Sequence, residues 1–151
     1  MAETTENKAN PTLDKGAKAP ALTATTDEGK AINLAEVYKK GLVLVYFYPK
    51  ADTPGCTKQA CNLRDNISAL NNAGVTVIGV SADTVEAQAK FKAKYALNFT
   101  LLADKERQVI GAFGVTARQS FIVKNGGVVW RQLKASPATQ AEDALKAIGS
   151  L

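Results

Sequence analysis

Two cysteines five residues apart, Cys56 and Cys61, are the residues of this chain best suited to chemistry, and the chain has no histidine. The missing imidazole removes the base from any Ser-His-Asp or Cys-His nucleophile. Two thiolates alone do not fill a tetrahedral zinc site, so neither a metal nor another cofactor is expected. At most one disulfide can form, which argues against a secreted scaffold stapled by bridges. Redox chemistry at sulfur, run without imidazole, is what survives. A Cys-x4-Cys spacing is a weak signal by itself, and its meaning depends on the elements that carry it.

The run YFYPKADTPGCTKQACNLRD, Tyr46 to Asp65, reads as a strand end, a loop and a helix start. Thr53 is a good N-cap and Pro54 suits the first helical position. The helix is expected to run to Asn72 and to end at Asn-Ala-Gly. Cys56 then lies in its first turn, where free N–H groups and the helix dipole favour a thiolate. Cys56, Ala60, Leu63, Ile67 and Leu70 recur at helical spacing and form one apolar stripe. Cys56 therefore points inward, into a pocket at the carboxyl end of a strand, where open α/β sheets bind ligands. A free cysteine is most often a small buried hydrophobe. The cap position and the preceding Thr-Pro-Gly weigh against that reading here.

Cys61 sits roughly 140° further round the helix and about 7.5 Å along it, which puts the two Cα atoms about 8.7 Å apart. A disulfide wants them about 5.5–6 Å apart and fails beyond about 7 Å. The pair can bond only if the first turns unwind, and terminal turns are where a helix opens most easily.

The rest of the chain supplies alternating strands and helices. Ala21–Thr26 and Lys30–Asn33 read as a hairpin around Asp27-Glu28-Gly29, followed by a short helix over Leu34–Lys40. Leu42–Tyr48 and Val75–Ser81 are continuous apolar runs of strand length, hence central buried strands. Helices are expected over Thr84–Leu97 and Lys105–Phe113, with a short strand at Phe99–Leu102 between them. Gln119–Val123 and Val128–Leu133 form a second hairpin, and Ser136 caps a last helix over Pro137–Ile148. This order implies an α/β fold, a central mixed sheet flanked by helices with an N-terminal β-hairpin, of thioredoxin-like type.

The chain has 151 residues, a net charge of +5 and 46% hydrophobic residues, values that suit one soluble domain. Its lysines are spread along the chain, and Lys90, Lys92 and Lys94 alternate with Phe91, Ala93 and Tyr95, as on a solvated helix face. No nucleic-acid partner and no membrane partner is expected. No run approaches the roughly 20 apolar residues of a membrane span, and the polar N-terminus lacks a secretory core. The expected location is cytoplasmic, where thiols stay reduced. Residues 1–16 are expected to be a flexible tail and residues 17–151 the folded domain.

At this point the chain resembles a known family. Pro49-x3-Thr53-x2-Cys56 matches the active-site pattern of peroxiredoxins, and PKADTPGCTKQAC is similar to the peroxiredoxin Q group, also called bacterioferritin comigratory proteins. The likeness also takes in Gly16 to Pro20, Leu34 and Arg118 to Ile122. It implies thiol-dependent reduction of hydrogen peroxide and alkyl hydroperoxides. It makes Cys56 the peroxidatic cysteine, Cys61 the resolving cysteine, and Pro49, Thr53 and Arg118 the other active-site residues. Thioredoxin or a glutaredoxin-type protein is the implied reductant, and a monomer the implied state. The residue types fit the chemistry. Thr53 offers a hydroxyl, Arg118 a permanent cation with a fork of donors, and Pro49 a shield without an N–H.

Residue physics alone ranks Arg118 only modestly above Arg64, Arg107 and Arg131; the resemblance makes the choice. Lys58 and Gln59 are expected on the helix surface, Gln59 standing where many peroxiredoxins carry Glu. The stretch from Phe113 to Arg118 is short against longer relatives, and Trp130 is expected to pack. A thioredoxin-fold binding protein with structural or sensory cysteines is the alternative from another class. A general disulfide oxidoreductase is weakened by the lack of Cys-x-x-Cys, and a copper chaperone by the lack of histidine.

Overall fold

The computed structural model describes residues 11–151. In chain order these form β1 (Thr23–Thr25), β2 (Ala31–Asn33), α1 (Leu34–Tyr38), β3 (Leu42–Phe47), α2 (Pro54–Asp65), α3 (Ile67–Asn72), β4 (Val75–Ser81), α4 (Val85–Tyr95), β5 (Thr100–Ala103), α5 (Gln108–Phe113), β6 (Gln119–Lys124), β7 (Gly127–Gln132) and α6 (Gln140–Gly149). The sheet order is β5-β4-β3-β6-β7, with β3 parallel to β4 and antiparallel to β6. β1 and β2 pair as the expected antiparallel hairpin. The expected mixed sheet with helices on both faces is what forms.

The apolar run of β3 explains the layering. Side chains alternate across a strand, so Val43, Val45 and Phe47 pack with α1 and α5 on one face. Leu44, Tyr46 and Tyr48 pack on the other face with Cys56, Ala60, Leu63 and Leu70, with Phe91 of α4, and with Ala141 and Ala144 of α6. Both faces are covered, which is why the run is apolar at every position rather than at every second one.

Several boundaries differ from expectation, each for a local reason. The helix from Pro54 does not run unbroken to Asn72: Asn66, at φ −112° and ψ 13°, separates α2 from α3. Its side-chain amide donates to the Asn62 carbonyl at 2.7 Å, while its own N–H turns to Leu63. An asparagine that competes for backbone carbonyls in this way interrupts a helix. The apolar stripe continues across the break, with Leu63 and Leu70 fully buried. α5 begins at Gln108 rather than Lys105, because the Asp104 carboxylate accepts the N–H groups of Gln108, Val109 and Ile110. α6 begins at Gln140 rather than Pro137. Ser136 closes only a turn with Thr139, and the side-chain acceptor at the start of α6 is Asn62 of α2, whose Oδ1 takes the Ala141 N–H at 2.7 Å.

Of the expected tail, residues 1–10 lie outside the described residues. Residues 12–16 are tied to the body. Leu13 donates to the Phe113 carbonyl, Gly16 donates to that of Val128, and Arg131 reaches Asp14 and the carbonyls of Thr12 and Leu13. Among the described residues, no helix is long and apolar enough to cross a membrane.

Candidate active site

The end of β3, the loop after it and the first turn of α2 bring the site together. Thr53 holds the N-cap position with extended backbone, and Pro54 opens the helix. The Thr53 hydroxyl does not cap the helix as expected; it donates to the Lys50 carbonyl at 2.8 Å. Its proton is thereby engaged, and its lone pairs are left to accept. Cys56 follows in the first turn and is 1% exposed. Cys61 is half-buried in the same unbroken helix, and both thiols are free.

Arg118 reaches Cys56 through strand register. β6 pairs antiparallel with β3 so that Gln119 lies opposite Phe47, which sets Arg118 beside the end of β3. Its backbone carbonyl accepts the Ala135 N–H at 2.9 Å. The Gln119 side chain accepts the Thr116 N–H and closes the short turn before it. From there Arg118 Nη1 lies 3.5 Å from Cys56 Sγ. The other arginines go elsewhere. Arg64 binds the Tyr95 carbonyl and Asp65, Arg131 binds the chain near Asp14, and Arg107 is exposed at the start of α5. Pro49 is exposed at the end of β3. With Phe47, Tyr48, Thr116 and Ala117 it lines a cleft of about 260 Å³ next to the Arg118 turn.

The site is thus a buried thiol at a helix start, faced by a guanidinium. The family model AhpC/TSA family matches residues 15–132. Peroxiredoxin Bcp of Escherichia coli K12 is 49% identical over 112 residues, covering 74% of this chain and 71% of that protein. The chain belongs to the AhpC/TSA family, among its Bcp or Q peroxiredoxins. The chloroplastic peroxiredoxin Q of japonica rice is 42% identical over 125 residues, covering 78% of this chain and 57% of that protein. The solved structure of peroxidoxin BcpB from Mycobacterium tuberculosis superposes with a TM-score of 0.87 at 27% identity, over 92% of this chain and 98% of that one.

Within this peroxiredoxin fold, the sequence reading of Gln59 is corrected. Gln59 is not on the surface but fully buried, whereas Lys58 is exposed as expected. Its Oε1 accepts from Arg118 Nη1 at 2.7 Å, so one nitrogen of the arginine serves both Gln59 and the sulfur. Its Nε2 donates to Gln140 Oε1 at 2.8 Å. Gln140 donates in turn to Gln132, and Gln132 to the Asp143 carboxylate. The chain of amides thus runs in one direction from the Arg118 cation to the Asp143 anion. A glutamate at position 59 would set a negative charge directly on the guanidinium. The amide fixes the guanidinium as an acceptor and adds no charge of its own.

Two more residues shape the site. Gly55 lies under Arg118, with space for a hydrogen and not for a methyl group. Tyr46, on β3, is fully buried beneath α2, its ring stacked on Tyr48 and pressed against Gly79. Burial, then Tyr48 and the Cys56 sulfur, hold its phenol well above the ordinary tyrosine range. The sequence held a clue to Gln59, since position 59 lies beside the 56-60-63 stripe at helical spacing and so faces inward.

Proposed function

We propose that this chain is a thiol peroxidase in which Cys56 reduces hydrogen peroxide and alkyl hydroperoxides and Cys61 resolves the product. The observation that carries this is the Arg118 guanidinium 3.5 Å from the buried Cys56 sulfur in the first turn of α2. Helix terminus and guanidinium both set positive charge beside the sulfur. The thiolate attacks one peroxide oxygen, the O–O bond breaks, and the departing alkoxide or hydroxide takes up a proton. Arg118 offsets the charge that develops on the departing oxygen. The Thr53 hydroxyl, its proton held by Lys50, accepts a hydrogen bond from the peroxide O–H. Pro49 walls the approach.

Cys56 is left as a sulfenic acid. The Cys61 thiol then displaces its oxygen as water and forms a disulfide, once the intact helix between the two has unwound. A dithiol protein of the thioredoxin or glutaredoxin type reduces that disulfide. A solved relative supports the substrate class: the bacterioferritin comigratory protein of Xanthomonas campestris, 26% identical with a TM-score of 0.83, is described for its alkyl peroxide reduction activity. We place the working protein in the cytoplasm, as a monomer.

The test is one equivalent of hydrogen peroxide, with thiols followed by mass. Both thiols of one chain disappear rapidly and the mass falls by that of two hydrogen atoms. Cys56→Ser abolishes peroxide consumption, and Cys61→Ser consumes one equivalent and stops at the sulfenic acid. Peroxide turnover by Cys56→Ser with thioredoxin present would overturn the assignment.

A further inference from the structure

Disulfide formation requires α2 to come apart between its two cysteines, and the structure shows what holds that segment. Between Cys56 and Cys61, Gln59 and Ala60 are fully buried, and the Gln59 amide is tied at both ends, to Arg118 and to Gln140. Asn62, the residue after Cys61, is gripped by the same turn of α6. Its Oδ1 accepts from Ala141, and its Nδ2 donates to the Ala138 carbonyl at 3.1 Å and to Glu142 at 3.0 Å. The start of α6 therefore holds α2 on either side of Cys61, one helical turn apart.

The two halves of this contact are not equally free to move. Gln140 is anchored in the sheet, accepting from Ser120 of β6 and donating to Gln132 of β7. Ala141 and Ala144 bury α6 against the same face. When the contact opens, Gln140 keeps both sheet partners, while Gln59 leaves with the unwinding helix and finds water. The moving half is α2.

We propose that Gln140 is a positioning residue for resolution: it latches Gln59, keeps α2 wound while Cys56 meets peroxide, and sets the rate at which Cys61 reaches the Cys56 sulfenic acid. The proposal rests on the Cys56–Cys61 pairing above. The step it controls is the condensation itself, in which the sulfur–sulfur bond forms as the sulfenic oxygen leaves as water with the Cys61 proton. No further oxidant is needed.

The experiment mixes reduced full-length protein with hydrogen peroxide and quenches at intervals with a thiol alkylating agent, separating sulfenic acid from disulfide by mass. Gln140→Met keeps the volume and removes the amide. A net hydrogen bond of this kind corresponds to roughly a threefold to tenfold change in rate. Disulfide formation is therefore expected to speed up by about that factor, while the Gln59–Arg118 bond that serves the first oxidation is left in place. The peroxide concentration that overoxidises Cys56 rises in step. Gln140→Glu keeps the acceptor for Gln59 and Ser120 and restores the slower rate. Asn62→Ala removes the second grip and accelerates the same phase, which decides the matter if Gln140→Met does not fold. Folded variants with unchanged or slower disulfide formation overturn the latch. A parent protein that forms no Cys56–Cys61 disulfide overturns the pairing instead, and the two failures are read from different samples.

Discussion

A methyl group on Gly55 would stand 2.9 Å from Arg118 Nη2 and 3.6 Å from its Cζ. The nearest atom is the free end of a long side chain, so the fold accommodates the intrusion by moving the guanidinium. Gly55 lies within α2, where alanine is favoured over glycine by roughly 0.5–1 kcal/mol. Gly55→Ala therefore separates stability from activity. The melting temperature holds or rises, while the rate constant for Cys56 oxidation by peroxide falls by roughly tenfold to a hundredfold. Stopped-flow oxidation alongside a thermal melt checks both. An unchanged rate would show that the closeness of Arg118 to the helix start has no part in the reaction.

Gln59→Met removes the acceptor that Arg118 uses at 2.7 Å. Hydrogen bonds to charged groups are worth about 1.5–3 kcal/mol, so the first oxidation slows by about tenfold or more as the guanidinium loses its fixed pose. Gln59→Glu keeps an acceptor for Arg118 and retains most of that rate. Second-order rate constants for the two variants, measured at low peroxide, settle the point. Equal losses in both would mean that the amide matters for packing alone.

The contrast between Cys56 and Gln59 shows what was legible in the chain. β3 and β4 were readable because both faces of those strands are buried, which leaves a continuous apolar run. The inward aim of Cys56 followed from its stripe. Gln59 sits on that same side, but its polar type points to an exposed position. Its burial depends on Gln140, 81 residues away, and on Arg118, 59 residues away. Local pattern carries no trace of such partners. The starts of α5 and α6 failed for a related reason. The first is capped by Asp104 from the end of a strand, and the second receives its acceptor from Asn62 of another helix. Thr53 takes the expected N-cap position, but its hydroxyl donates to the nearer carbonyl of Lys50.

The Tyr46 hydroxyl is buried without a hydrogen-bond partner among the described residues. Such a group costs about 1–3 kcal/mol in lost hydration. Tyr46→Phe removes the group and keeps the ring stacked on Tyr48, so it stabilises the protein by about 1 kcal/mol. The urea midpoint moves up with an unchanged m-value. Gly79→Ala acts in the opposite sense, because its Cβ would lie 2.8 Å from ring atoms of Tyr46, deep in the sheet. Overpacking of this kind costs about 1–3 kcal/mol. A destabilised Tyr46→Phe would show that the hydroxyl has found a partner in solution.

Asp104 supplies a pH dependence whose sign follows from burial. Desolvation raises its carboxyl above the ordinary range, against the three amide N–H groups that it accepts. The folded state thus holds this proton more tightly than the unfolded chain does. As pH rises from the ordinary carboxylate value through the raised folded value, the unfolded state gains the advantage and stability is lost. Asp104→Asn keeps an oxygen acceptor and does not titrate, so it isolates the effect. The parent's stability relative to Asp104→Asn declines with rising pH across that window and levels off above it, as chemical denaturation at a series of pH values will read. If the parent instead gains on the variant as pH rises, the hydrogen bonds from Gln108, Val109 and Ile110 outweigh the cost of burying the charge.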